Sequence, residues 1–230
     1  MKSFGENFRA LVIGASGGVG QALAESLLQQ DACGEVLTLS RSEDGLDLLD
    51  ENSIAEQAGK LAEKHFDLIV CATGALTIEG VGPEKTIKQI SPDAMAAQFA
   101  VNAIGPALTL KHFTPLLRQS KRSAFALVSA RVGSIGDNRL GGWISYRSAK
   151  AALNQIVRTT AIEVARKRPD AIIVAIHPGT VNTPLSRPFG SNHTSTEPSE
   201  AATMILATID CLKSSDTGGF FAYDGSRIEW

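Results

Sequence analysis

The 230-residue sequence predicts an α/β fold, a single domain with a doubly wound, mainly parallel sheet of about seven strands and helices on both faces. Three observations carry this. Short apolar runs alternate with longer amphipathic segments along nearly the whole chain. The runs are apolar throughout rather than at every second residue, the pattern of strands covered on both faces. The first run leads straight into a glycine-rich turn that opens a helix. No linker, repeat or low-complexity block interrupts the alternation, so residues 1–230 are expected to form one unit.

Residues 9 to 13 (RALVI) read as a buried strand, followed by a helix near 18 to 30. A second strand is expected near 35 to 40 (EVLTLS), a short extended piece at 46 to 49, and a helix over roughly 53 to 64. The next strand is 67 to 71 (DLIVC), followed by a long helix from about 91 to 118. Then come a strand at 124 to 129 (AFALVS), a helix near 144 to 168 and a strand at 171 to 176 (AIIVAI). A helix near 198 to 213 and a strand near 219 to 222 complete the chain. Two polar loops, near 73 to 90 and 183 to 198, follow the carboxyl ends of strands. Open α/β sheets bind ligands at that edge, which makes both loops candidate pocket walls.

Composition narrows the function classes. Hydrophobic residues at 43% and charged residues at 20% exclude disorder, coiled coil and collagen. Lys and Arg number 22 against 24 Asp and Glu, so no basic surface advertises nucleic acid or an anionic membrane. No stretch approaches the ~18 apolar residues of a membrane span, and glycine interrupts the first apolar stretch too early for a signal peptide. Cys33, Cys71 and Cys211 are too few and too widely spaced for a disulfide framework or a CxxC metal site. His65, His112 and His193 have no ligand-like spacing, so no metal is expected. The expected setting is cytoplasmic.

The first strand runs into Gly14-Ala15-Ser16-Gly17-Gly18-Val19-Gly20. Glycines there let the backbone turn tightly and let a pyrophosphate approach a helix N-terminus, where free N–H groups and the macrodipole favour negative charge. The second strand ends in Ser40-Arg41-Ser42, with no carboxylate to bond ribose hydroxyls. Arg41 suits a 2′-phosphate, which favours NADP over NAD. Tyr146 and Lys150 stand four apart on a predicted helix and share one face. A phenol titrates near ~10, and a nearby ammonium favours the phenolate, bringing general acid–base chemistry on a carbonyl or alcohol oxygen within range.

The GxxxGxG spacing of Gly14, Gly18 and Gly20, with Tyr146-Arg147-Ser148-Ala149-Lys150 downstream, resembles the short-chain dehydrogenase/reductase family. VGSIGDNRLGGWISYRSAKAALN and the ending GGFFAYDGSRIEW resemble its C-factor-like branch. The resemblance implies a Rossmann fold, a nicotinamide cofactor, and Tyr146, Lys150 and Asn102 as catalytic residues, with Asn102 supporting a water relay to the lysine. Asp47 resembles the family's adenine-contacting Asp, with a solvated turn as the alternative reading. Ala72-Thr73-Gly74 matches the family's Asn-Ala-Gly segment, with Ala72 where Asn is usual. Pro178-Gly179-Thr180-Val181-Asn182-Thr183 resembles the PGxVxT segment that holds the nicotinamide carboxamide; His177 before it reads as a structural strand-end residue.

One departure concerns catalysis. The family's catalytic serine is the second of a Ser-Ser pair, and alignment puts Ala130 in its place. Ser129 enters as a candidate if a bend turns it inward, with Ser134 as the alternative. The resemblance also implies a homodimer or homotetramer joined through the two long helices. Trp143 and Phe189 offer an apolar wall, with packing as the other reading of Trp143. The expected function is therefore an NADP-dependent oxidoreductase acting on a small or hydrophobic carbonyl or alcohol. The alternatives are a catalytically weak NADP(H)-binding regulatory protein and a purely structural domain.

Overall fold

A computed structural model describes residues 1–119, 121–189 and 195–230, with the side chain of Phe189 also outside the description. Six strands form one sheet: β1 (Phe8–Ile13), β2 (Cys33–Leu39), β3 (Leu68–Cys71), β4 (Ser123–Val128), β5 (Ala171–His177) and β6 (Phe220–Ala222). Their order is β2-β1-β3-β4-β5-β6, and every neighbouring pair is parallel. The direction of winding reverses between β1 and β3, which opens a crevice at their carboxyl ends.

The apolar runs became strands because both of their faces are covered. Val12, Val70, Ala126 and Val174 pack with Leu23 and Leu27 of α1 (Gly18–Leu28) and Ile205 and Ile209 of α7 (Pro198–Cys211). On the other face, Ile13, Ile69, Phe125 and Ile173 meet Ile54 of α3 (Glu51–Lys60) and Phe113 of α5 (Gly105–Phe113). Leu153 and Val157 of α6 (Ile144–Ala165) complete that layer.

Two expectations are corrected. The extended piece at 46 to 49 is not a seventh strand, so the sheet has six. Leu46 points inward, but the Asp47 N–H donates to Ser53 Oγ at 2.9 Å and the Leu49 N–H donates to Asp47 Oδ1 at 2.9 Å. These local bonds fold the segment into the turn that precedes α3. The helix expected over 91 to 118 is broken: α4 (Pro92–Phe99) passes through a π-turn at Ala100–Ile104 into α5, and a 3-10 turn follows at Thr114–Leu116. Among the described residues no helix is long and apolar enough to cross a membrane.

Candidate active site

The glycine loop closes on itself beneath the crevice. Gly14 leaves β1 at φ +87°, and its carbonyl lies so near Gly20 that a β-carbon there would stand 2.2 Å from the oxygen. Gly17 caps α1 in extended conformation with no side-chain hydrogen bond, and the helix has no acidic residue in its first turn. Its positive end therefore faces outward with free N–H groups, a fit for an anionic phosphate. Ser16, Gly17, Gly18 and Val19 line one end of a cavity of about 740 Å³. Ala72, Thr73 and Gly74 line its floor, and Pro178, Gly179, Val181 and Thr183 its far wall. Gly14 and Gly20 shape the loop from behind.

Tyr146 and Lys150 reach the same cavity from α6. Both are buried, with Lys150 Nζ 5.9 Å from the centre of the Tyr146 ring. Nζ donates to the Val128 carbonyl at 3.2 Å, and burial pushes the ammonium down to about 8. Burial also holds the phenol above its ordinary value. Desolvation is the cause, contrary to the lowering expected from a neighbouring ammonium, and Tyr146 is protonated at neutral pH.

Asn102 sits fully buried in the π-turn, the kind of helix distortion that collects at functional sites. Its Nδ2 donates to the Ala75 carbonyl at 2.9 Å and to Gln98 Oε1 at 2.8 Å, while Oδ1 accepts the Ala75 N–H at 3.1 Å. The loop after β3 is therefore tied to α4 and the π-turn. Gly74 shows how closely the parts converge: at φ +152°, a β-carbon on it would lie 3.0 Å from Asn102 Oδ1 and 3.2 Å from Lys150 Nζ. Only glycine leaves that space open between the amide and the ammonium.

Ser129 lines the cavity, yet its hydroxyl donates to Asn154 Oδ1 on α6 at 2.7 Å. Ala130 lines the cavity beside it. Ser134 is buried, accepts the Asp137 N–H at 3.0 Å and is not among the lining residues. His177 does line the cavity, and its Nδ1 is shielded from solvent with no hydrogen-bond partner. Burial first, then the Arg131 guanidinium, hold its ring down to about 4 against the opposing charge of Asp224.

The cavity does not extend to Arg41 or Asp47. Arg41 is exposed at the start of the short helix α2 (Arg41–Asp44), which Ser40 caps at the end of β2. Asp47 is half-buried in its turn. Trp143 lines the cavity and meets the Tyr146 ring edge-on, the centroids 6.3 Å apart at 70°. The Phe189 side chain and residues 190–194 of the loop near 183 to 198 lie outside the description. Among the described residues no cluster of His, Cys, Asp or Glu could hold a metal ion.

Sequence reasoning missed Glu84. This buried carboxylate accepts the Ser145 N–H at 3.1 Å and the Ser145 hydroxyl, while the Trp143 N–H donates to its backbone carbonyl at 2.5 Å. Burial raises its carboxyl, but the hydrogen bonds from Ser145 outweigh that and leave it below the ordinary range. A carboxylate at a helix N-terminus is favoured by the macrodipole, so Glu84 fixes the end of α6 that carries Tyr146. No motif marks it, because its partners are set by how the loop packs.

A family model described as Enoyl-(Acyl carrier protein) reductase matches residues 14–227. The 1-hydroxy-2-glutathionyl-2-methyl-3-butene dehydrogenase of Rhodococcus sp. is 29% identical over 232 residues, covering 96% of this chain and 98% of its own. C-signal of Myxococcus xanthus is 36% identical over 137 residues, 59% of this chain and 78% of its own. The structure of NADPH-bound carbonyl reductase from chicken fatty liver shares the fold with TM-score 0.82 at 23% identity, covering 98% of this chain and 95% of that one. The matched span takes in the glycine loop, the Tyr146–Lys150 pair and the wall after β5, and the chain belongs to the short-chain dehydrogenase/reductase family of oxidoreductases.

Proposed function

We propose that the protein is an NADP-dependent oxidoreductase that interconverts a small or hydrophobic carbonyl compound and its alcohol. The observation that carries this is the opening of the uncapped α1 N-terminus and the Tyr146–Lys150 pair into one cavity. The N–H groups of Gly18 and Val19 would hold the pyrophosphate, and Asp47 would face the adenine. Arg41 would meet the 2′-phosphate; its exposed place just after β2 supports NADP over NAD, while the Asp44 carboxylate at that strand end is engaged by the Ser40 N–H at 2.7 Å. The NADPH held by the chicken carbonyl reductase supports the same choice. Thr73 and Gly74 would form the floor of the nicotinamide site, and Pro178, Gly179, Val181 and Thr183 its wall.

The bound nicotinamide supplies or accepts the hydride. Tyr146 gives its proton to the carbonyl oxygen in reduction and takes it back in oxidation. Lys150, cationic at neutral pH, would hold ribose hydroxyls and favour the tyrosinate as the proton leaves. Asn102 would keep the floor and the path behind Lys150 open. Trp143, Leu140 and Leu185 line the mouth, and Leu140 is 88% exposed, which supports an apolar substrate. A cytoplasmic setting fits the three free cysteines. Exposed Ile104 and Ile162, on the π-turn and α6, support a homodimer or homotetramer through those helices.

The test is NADPH consumption against a panel of aldehydes and ketones, with Tyr146→Phe as control. Turnover that disappears in the variant supports the reading, and turnover that survives in it rejects the mechanism. A second reading, a catalytically weak NADP(H)-binding regulatory protein, is favoured by Ala130 in the serine's place and by the engagement of the Ser129 hydroxyl with Asn154. NADPH binding without turnover of any panel member would select it.

A further inference from the structure

We propose that His177 is a further catalytic residue, whose imidazole donates to the substrate's carbonyl oxygen the hydrogen bond that Ala130 lacks a hydroxyl to make. The proposal rests on the reading of Tyr146 as the proton donor.

Backbone register sets the position. β4 and β5 pair with Val128 opposite Ile176. The Ser129 N–H then donates to the Ile176 carbonyl at 2.8 Å, so the pairing continues one step and brings Ser129 opposite His177. Leu127 and Ala175, two residues earlier on each strand, pack in the cluster beneath α6. Alternation along a strand sends Ser129 and His177 to that same face, the one from which Tyr146 and Lys150 enter the cavity. The two side chains differ in what they have left to offer. Ser129 donates its proton to Asn154. The His177 ring lines the same cavity as Ala130 and Tyr146 and has no hydrogen bond to any described residue.

A ring that is neutral at physiological pH keeps one N–H. With the proton on Nε2, the shielded Nδ1 is a bare acceptor and the N–H remains free to donate. Neutral imidazoles polarise carbonyls in this way in other enzymes.

The step balances with what the reaction already contains. The hydride brings two electrons and forms a C–H bond at the carbonyl carbon, and the C=O π pair moves onto oxygen. Tyr146 supplies the one proton that oxygen takes. His177 keeps its own proton and holds the oxygen through N–H···O as charge builds.

The test uses the full chain with NADPH and the aldehyde and ketone panel, taking 4-nitrobenzaldehyde first. His177→Phe fills the space without a donor, His177→Asn keeps an N–H, and Ala130→Ser restores a hydroxyl on extended backbone (φ −146°, ψ 141°) that accepts serine without strain. Loss of one oxyanion donor predicts a fall in kcat of ~10²–10³-fold for His177→Phe, with NADPH affinity unchanged. His177→Asn should retain most of the rate, and Ala130→Ser should recover it in the His177→Phe background. A packing role alone would lower Tm and would gain nothing from a hydroxyl on the adjoining strand. If His177→Phe does not fold, His177→Ala takes its place in the same cycle. Unchanged kcat in the donor-free variant, or a loss that Ala130→Ser does not relieve, overturns the proposal. Activity that needs Tyr146 and ignores His177 removes this inference alone. Activity that survives Tyr146→Phe, or its absence from the wild type across the panel, removes both this inference and the reading beneath it.

Discussion

Replacing Asn102 with alanine tests how the floor of the site is built. The side chain is fully buried and makes three hydrogen bonds, two to the backbone of Ala75 and one to Gln98. At about 1 kcal/mol net for each bond, Asn102→Ala should cost ~3 kcal/mol, more if Ala75 and Gln98 find no water. In a chain of this size 1 kcal/mol moves Tm by roughly 2–4 °C, so the expected fall is ~6–12 °C. Release of Ala75 also frees Gly74, whose missing β-carbon leaves room between Asn102 and Lys150. Misplacement of a catalytic group by an ångström can cost ~10²-fold in rate, so kcat should fall by more than the melting point alone suggests. Thermal melts with and without NADPH, followed by NADPH consumption on a turned-over aldehyde, measure both effects. A variant that melts within about 2 °C of wild type and keeps its kcat would show that the Asn102 bonds do not hold the floor.

Three further outcomes follow from the same geometry. Arg41→Ala should weaken NADPH by roughly 10- to 100-fold, since an exposed charge-assisted contact to phosphate contributes about 1.5–3 kcal/mol, and should leave NADH nearly unchanged; equal losses in fluorescence titrations would reject the 2′-phosphate role. Glu84 is held below the ordinary carboxylate range, so its stabilisation is present above the unfolded value of ~4.3 and is lost as pH falls through the lower folded value. The Tm difference between wild type and Glu84→Gln should close in acid, and a difference independent of pH would contradict the capping role. Lys150 is depressed to about 8, so between that pH and the unfolded value of ~10.4 the unfolded chain binds the extra proton. Wild type should therefore gain stability relative to Lys150→Met across that window, and a flat comparison would mean the ammonium is not buried at this cost.

Much of this was legible because it depends on local pattern. β3 and β5 are apolar at nearly every position, and both prove to be covered on both faces. The glycine loop could be read from spacing because each glycine answers a steric demand, as the approach of Gly20 to the Gly14 carbonyl shows. What escaped depends on contacts distant in sequence. The π-turn at Ala100–Ile104 leaves no mark on the apolar periodicity, yet it positions Asn102. Glu84 lies 61 residues from Ser145 in a polar loop, where nothing distinguishes it from a solvated glutamate. The segment at 46 to 49 looked extended, but the bonds from Asp47 to Ser53 and Leu49 turn it away from the sheet. The expected lowering of the Tyr146 phenol counted a charge and left out burial, which prevails.

The most direct measurement of the central claim is single-turnover hydride transfer from pre-bound NADPH to an aldehyde, comparing wild type with Tyr146→Phe. General acid catalysis contributes typically ~10²–10⁴-fold, so the variant should lose that much of the transfer rate while binding NADPH within about threefold of wild type. Equal transfer rates in the two proteins would contradict the assignment of Tyr146 as the proton donor, and with it the account of how this cavity works.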